Sequence, residues 1–294
     1  MRTPEFDAYV MPARAEPALW RLFLGIVLVG FVQAGLLAII LVAAYPVIGP
    51  LEYFGWVMQL RAPDTPAPAL VLLFSFAGLF LGTLLAAAAL HGRGPGSLFG
   101  PAGETARAFA LTLALAVPVY ALSLGLGAAS YPPEANLDPM LWLRLLPGAL
   151  LLVLLQTSAE ELFFRGYLMQ QLAARFAARW VWMGLPAVLF ASGHLAPGTG
   201  ASWLTVGAAL AFALIAADLT ERTGNLGAAI ALHFLNNTVA ILLVAVKGTI
   251  TGLALYVTPF GLSEAGARPM PALVDVAFII LLWLALRRLL PRLI

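Results

Sequence analysis

Residues 141–171 read LWLRLLPGALLLVLLQTSAEELFFRGYLMQQ. A helix needs about 20 mainly apolar residues to cross a bilayer, and this run exceeds that length. Glu160 and Glu161 nevertheless stand side by side within it, with Arg165 four residues on. Ionisable groups at membrane depth are costly. Where they occur they face the bundle interior or a water-filled cavity, and they mark functional sites. The stretch therefore implies a spanning helix and a polar site on that helix.

The rest of the chain is of the same kind. Of 294 residues, 62% are hydrophobic and 10% charged, whereas soluble domains carry about 25% charged residues. Mean hydropathy is +0.95. The net charge of +2 comes from basic residues scattered over short loops, with no basic stripe of the kind that binds nucleic acid. The absence of cysteine excludes a thiol nucleophile, a disulfide framework and cysteine-ligated metal.

By the same length rule eight spans are expected, at about 19–46, 68–90, 107–130, 141–171, 178–197, 201–220, 226–246 and 271–290. Pro63, Pro66 and Pro68 break the chain before the second span. The Gly/Pro-rich stretch 92–104 follows it as a loop, and Pro132, Pro133 and Pro139 precede the fourth. Spans five and six are short and joined at Pro197–Gly200; if either is re-entrant the count falls to seven. The expected fold is an all-α polytopic membrane helix bundle of about eight transmembrane helices. It comprises a polar N-terminal tail (1–18), flexible or interfacial, and one transmembrane domain (19–294). The run from Leu22 to Ala44 exceeds the apolar core of a signal peptide and reads as an uncleaved first span.

Arginine and lysine bias sets the orientation. With the N-terminus in the cytoplasm, cytoplasmic segments hold eleven basic residues, among them Arg2, Arg93, Arg179 and Arg287. The opposite side holds four: Arg61, Arg144, Lys247 and Arg268. This predicts an N-in, C-in bundle.

Two further polar clusters interrupt apolar runs: His194, and His233 with Asn237. The chain has only three histidines. If the hairpin between spans four and five turns near Ala177, Glu160 lies 17 residues before the turn and His194 17 after it, at one level. His233, about ten residues past the turn at Asn225, reaches the same depth if the first hairpin protrudes by roughly 10 Å. Glu161 and Arg165 share a helix face at i, i+4, which fixes Glu161 as an ion-pair partner. Glu160 points elsewhere. A carboxylate without a cationic partner in an apolar site exchanges protons near neutrality, so Glu160 is the expected general base. His233 and Asn237 share a face by the same spacing, as do Phe190 and His194, so the Phe190 ring is placed to wall off the site.

Each cluster alone also reads as structural: a buried ion network, a helix–helix hydrogen bond, interhelical glue at Asn236 and Asn237. His91 reads as interfacial. Asp218, Glu221 and Arg222 read as solvated or capping residues, and Asp275 has no evident role. Trp142, Trp180 and Trp203 fit interfacial anchoring. Jointly, the three clusters point to one site. Other templates fail: there is no H-E-x-x-H zinc motif, no paired-aspartate motif and no G-x-S-G nucleophile.

Residues 160–166 (EELFFRG), 190–194 (FASGH) and 222–237 (RTGNLGAAIALHFLNN) carry, in order, E-E-x-x-x-R, F-x-x-x-H and H-x-x-x-N. Over about 141–247 the chain thus resembles the CAAX protease and bacteriocin-processing (CPBP) family, which includes the type II CAAX prenyl endopeptidases. The resemblance implies an intramembrane endopeptidase acting near the cytoplasmic face, through a cavity open to the cytoplasm. Glu160 and His194 would activate water, Glu161 and Arg165 would support them, and His233 with Asn237 would stabilise the oxyanion. Family members are classed as metalloproteases. Here Glu160, His194 and His233 have the residue types of a three-ligand zinc site with an open water position. They serve equally to hold water directly, as in a glutamate-dependent protease. Implied partners are a peptide or lipidated-protein substrate and membrane lipids, with CAAX-type prenyl-protein processing as one form. The alternatives are a non-catalytic membrane scaffold or bacteriocin-immunity protein and, less well matched, a proton-coupled transporter. An Ala/Leu/Gly/Arg-rich composition with one lysine suggests a prokaryotic inner membrane.

Overall fold

The computed structural model describes residues 2–195, 202–265 and 270–294. The linker expected at Pro197–Gly200, and Arg268, lie outside the described residues.

The chain is an integral membrane protein built as a helical bundle with little sheet. Five helices among the described residues are long and apolar enough to cross a membrane. They are α2 (Leu19–Ile48), α3 (Pro66–His91), α4 (Ala102–Ser130), α5 (Pro139–Arg175) and, within α7 (Ser202–Thr223), residues Trp203–Thr223. Between and after them stand α6 (Trp180–Ser192), α8 (Gly227–Leu243) and α9 (Met270–Leu293). A short helix α1 (Pro4–Val10) precedes them all.

Local chemistry explains the boundaries. Helix α5 starts where Asp138 accepts from the backbone N–H of Met140 and Leu141, at 3.0 and 2.9 Å, with Pro139 in the first helical position. Helix α3 is interrupted at Phe76, where Ser75 Oγ turns back onto the Leu72 carbonyl at 2.7 Å, a bond that bends helices. Small residues let helices meet closely. A Cβ on Gly78 would stand 2.7 Å from the Gln33 side chain of α2. One on Gly227 would stand 2.1 Å from the Thr105 carbonyl of α4.

The bundle has two distinct ends. At the arginine-rich end, α1 and the loops 92–101, 176–179 and 224–226 pack together. Thr3 bonds the Glu221 carbonyl, Tyr9 the Leu98 carbonyl, and Leu226 N the Phe99 carbonyl. At the other end lie three strands the all-α expectation did not include. β1 (Glu134–Ala135) pairs antiparallel with β3 (Tyr256–Gly261), and β2 (Val244–Lys247) pairs parallel with β3. The apolar run 226–246 was expected as one helix. It leaves helical geometry after Leu243, because Val244-Ala245-Val246 has β-branched residues that pair as strand. Asn136 and the Lys247–Glu134 pair at 2.6 Å tie this end together.

The N-terminal stretch is folded rather than a flexible tail. Phe6 and Val10 are fully buried, and the Phe6 ring lies 4.8 Å from that of Trp182. Burial also holds the Tyr9 hydroxyl above the usual tyrosine range. His91 is buried, not interfacial. Its Nδ1 meets the Glu16 carbonyl at 3.0 Å and its Nε2 the Tyr167 hydroxyl at 2.8 Å. Asp218 and Glu221 are buried, not solvated. Asp218 meets Arg222 at 2.8 Å and Trp283 at 2.8 Å, and Arg179 meets Glu221 at 2.5 Å and Asp218 at 3.2 Å. Arg179 and Trp283, which enclose these carboxylates, lie far from them along the chain, so spacing alone does not disclose the burial. Asp275 also gains a partner, Ser123 Oγ at 2.8 Å.

A buried aromatic truncated to alanine costs about 3–5 kcal/mol. Phe6→Ala should therefore lower the unfolding temperature of the detergent-solubilised protein measurably. An unchanged melting curve would mean that the N-terminal helix contributes nothing.

Candidate active site

The polar residues of the three motifs meet on α5, α6 and α8. Arg165 Nη1 donates to Glu161 Oε1 at 2.9 Å, and both side chains are essentially inaccessible. Arg165 also donates to the Ala213 carbonyl at 3.1 Å and lies over the Phe190 ring, 4.9 Å from its centroid. A guanidinium with a carboxylate, a carbonyl and a ring face has the partners a buried cation requires.

His233 stands between the two glutamates. Its Nδ1 is 2.8 Å from Glu161 Oε1, and its Nε2 is 3.4 Å from Glu160 Oε2. The rings of Phe212 and Phe190 pack on it at 4.8 and 5.8 Å. His194 is placed by its own helix: Nδ1 meets the Phe190 carbonyl at 3.0 Å. A carbonyl only accepts, so Nδ1 donates this bond and Nε2 is the ring nitrogen left for another partner. The Phe190 ring stacks beside it at 4.8 Å, the walling role its spacing suggested.

Asn237 is held on both sides of its amide. Its Nδ2 donates to Gln156 Oε1 at 2.8 Å, its Oδ1 accepts from Asn236 Nδ2 at 3.1 Å, and Asn236 Oδ1 accepts from the Tyr120 hydroxyl at 3.3 Å. One N–H of Asn237 remains uncommitted in this chain of bonds.

A cavity of about 390 Å³ joins these groups. Glu160, His194, Asn237 and Gln156 contribute its polar wall, and Phe164 and Phe190 line it beside them. Glu161, Arg165 and His233 are not among the lining residues; they lie behind Glu160. The sequence missed Gln156, although its signal was present: it is the one amide in the apolar run before Glu160, four residues away and so on the same helix face. Tyr120 and Phe212 gave no signal, being ordinary apolar-face residues in sequence.

The helices are not α-helical throughout. Leu162–Met169, directly after the two glutamates, and Thr238–Leu243, directly after Asn237, are π-helical. Such segments are rare and concentrate at functional sites.

The zinc reading fails a test of fit. Among the described residues no three His, Asp or Glu side chains form a ligand set. The cavity is also lined by Leu72 and Leu73, by Phe76 at the bend of α3, and by Ile250.

Residues 142–239, which contain every motif residue, match the family model for Type II CAAX prenyl endopeptidase Rce1-like proteins. The matched segment is similar to that family. This is the family the three motifs pointed to, and it is one of proteases, whose substrates are peptides or proteins. The chain is also similar to the protein described as Uncharacterized protein YyaK of Bacillus subtilis (strain 168), at 34% identity over 125 residues. That match spans 40% of this chain and 40% of the relative's length. No solved structure matches.

Removing one partner of a buried ion pair costs about 3–5 kcal/mol, because the other charge is left uncompensated. Arg165→Met should lower thermal stability by that order, and adding Glu161→Gln should recover part of the loss. Additive effects in this double-mutant cycle would show that the pair does not couple.

Proposed function

We propose that the protein is an intramembrane endopeptidase in which Glu160 activates a water held against His194. The observation that carries this reading is the shared wall. Glu160 on α5, His194 just past the end of α6 and Asn237 on α8 line one cavity, while the ion pair of Glu161 with Arg165 is kept behind. The volume of about 390 Å³ lies in the ligand-pocket range of roughly 300–1,000 Å³.

In this mechanism water donates one hydrogen bond to His194 Nε2 and one to Glu160. Its oxygen attacks the scissile carbonyl carbon as Glu160 takes the proton. The carbonyl oxygen becomes an oxyanion and accepts the uncommitted N–H of Asn237. On collapse the C–N bond breaks, and the amine leaves with the proton from Glu160. The resemblance assigned His233 to the oxyanion. Its position between Glu160 and Glu161 instead favours a positioning role, with its Nε2 beside Glu160 Oε2. The donor set does not fit a metal, and side chains alone carry every step. A general base contributes typically 10²–10⁴-fold and an oxyanion donor about 10²–10³-fold.

In the bilayer, α2 to α9 make eight crossings, with both termini and α1 on the arginine-rich, cytoplasmic side. The substrate class is a membrane-associated peptide or lipidated protein. CAAX-type prenyl-protein processing is the form that the family description raises.

Purified protein and a membrane-peptide substrate test the reading. Glu160→Gln should remove hydrolysis and leave the melting temperature unchanged; retained turnover would end the assignment. Gln156→Leu should lower kcat about tenfold or more with little change in KM, as expected when an oxyanion donor loses its alignment.

A further inference from the structure

We infer that α4, which lies outside the segment matched by the family model, supplies the site with a positioning residue: through Asn236, Tyr120 fixes which way the amide of Asn237 faces. It thereby decides whether Asn237 offers the cavity an N–H or an oxygen. The consequence for catalysis rests on the endopeptidase reading; the place of Tyr120 in the bonding chain does not.

Two contacts lay α4 along α8. Gly227 of α8 sits against the Thr105 carbonyl, and the rings of Phe109 and Phe234 lie 6.3 Å apart. Farther along α4, the Tyr120 ring packs against the apolar cluster that holds Leu232 and Leu282. Its hydroxyl reaches Asn236 Oδ1 at 3.3 Å. Tyr120 itself is not among the residues that line the cavity. A polar donor from the first half of the chain is thus brought to the residue beside Asn237.

From there the bonds run in one direction. Asn236 Nδ2 donates to Asn237 Oδ1 at 3.1 Å, and Asn237 Nδ2 donates to Gln156 Oε1 at 2.8 Å. Gln156 is hydrogen-bonded in turn to the Glu160 side chain. An ionised carboxylate only accepts, so Gln156 must offer it an N–H and keep its oxygen for Asn237. Each amide upstream is then set the same way, oxygen toward the preceding donor and nitrogen toward the next acceptor. The first acceptor is Asn236 Oδ1. Its donor must come from outside the amides, and the Tyr120 hydroxyl is that donor.

A side-chain amide has nearly the same shape in its two flipped orientations, so hydrogen bonds rather than packing choose between them. Without the Tyr120 hydroxyl, Asn236 Oδ1 has no partner among the described residues, and that amide is free to reverse. Reversed, it would set its oxygen against Asn237 Oδ1, two acceptors face to face. Turning Asn237 as well relieves that clash, but it exchanges the N–H for an oxygen where the oxyanion forms. In a buried network a donor lost at one end is therefore felt at the other.

Tyr120→Phe keeps the ring and removes only the hydroxyl. Purified full-length protein is assayed with an internally quenched membrane peptide, alongside Asn236→Ala and the double variant. Tyr120→Phe should lower kcat about tenfold with KM unchanged, less than the roughly 10²–10³-fold that follows direct loss of an oxyanion donor. In the Asn236→Ala background the same change should have no further effect, because Tyr120 acts only through Asn236. Melting temperatures of the four proteins read the coupling without turnover. Full kcat in Tyr120→Phe would overturn the inference. So would losses that multiply in the double variant, since Tyr120 would then act independently of Asn236. Coupled melting temperatures with unaltered kcat would make the contact interhelical glue and overturn it as well. Glu160→Gln, run in parallel, tests the endopeptidase reading on its own: turnover there removes that reading, whereas the Tyr120 comparison is judged against the unsubstituted protein.

Discussion

The site depends on a charge pair that does not itself line the cavity. Glu161 and Arg165 are buried within one helix, and neither would be tolerable there alone. Together they give His233 an acceptor on one side, and His233 in turn stands beside Glu160. The order of contact is arginine, first glutamate, imidazole, second glutamate, cavity. Moving the pair would displace the imidazole and with it the carboxylate proposed as base. An apolar replacement would pack as well or better, but it would leave nothing to hold His233 in register. Retaining ionic groups in a membrane core is understandable when their geometry has a use.

A second buried ionic cluster serves another end. Asp218 and Glu221 on α7 draw together Arg179, Arg222 and Trp283, from the loop before α6, from α7 itself and from α9. No cavity residue takes part. Its effect is to fasten helices at the arginine-rich end, where α1 is also seated. The structure thus separates anchoring from chemistry along the bundle axis.

The sequence disclosed the site better than its surroundings. The i, i+4 spacing of Glu161 and Arg165 was legible because the pair lies on one helix, and their contact is the one that spacing requires. The common level of Glu160 and His194 followed from hairpin symmetry about Ala177. The contact of His233 with both glutamates was not legible, since it depends on how α8 crosses α5. Nor was the Tyr120–Asn236–Asn237–Gln156 chain, in which each link joins a different helix or a neighbour in sequence. The N-terminal helix was misread for a different reason. Glu5 and Asp7 interrupt its apolar residues, but Phe6, Tyr9 and Val10 fall on one face at i, i+3 and i+4 and are the ones buried. The strands were missed because a β-branched run at the end of an apolar stretch looks the same, in one dimension, as the last turn of a helix.

The π-helical segment Leu162–Met169 divides α5 into two pieces with different rotational phase. A turn closed by i→i+5 bonds holds one more residue than an α-turn, so the positions after it do not continue the face set before it. Before the segment, Gln156 and Glu160 present to the cavity; after it, Gln170 and Leu172 are buried against loop 92–101 and the N-terminal cluster. One rod thereby carries two independent addresses. Deleting a single residue between them would leave a more regular helix, one residue shorter, yet it would rotate the anchoring half by about 100° relative to the other, given 3.6 residues per turn.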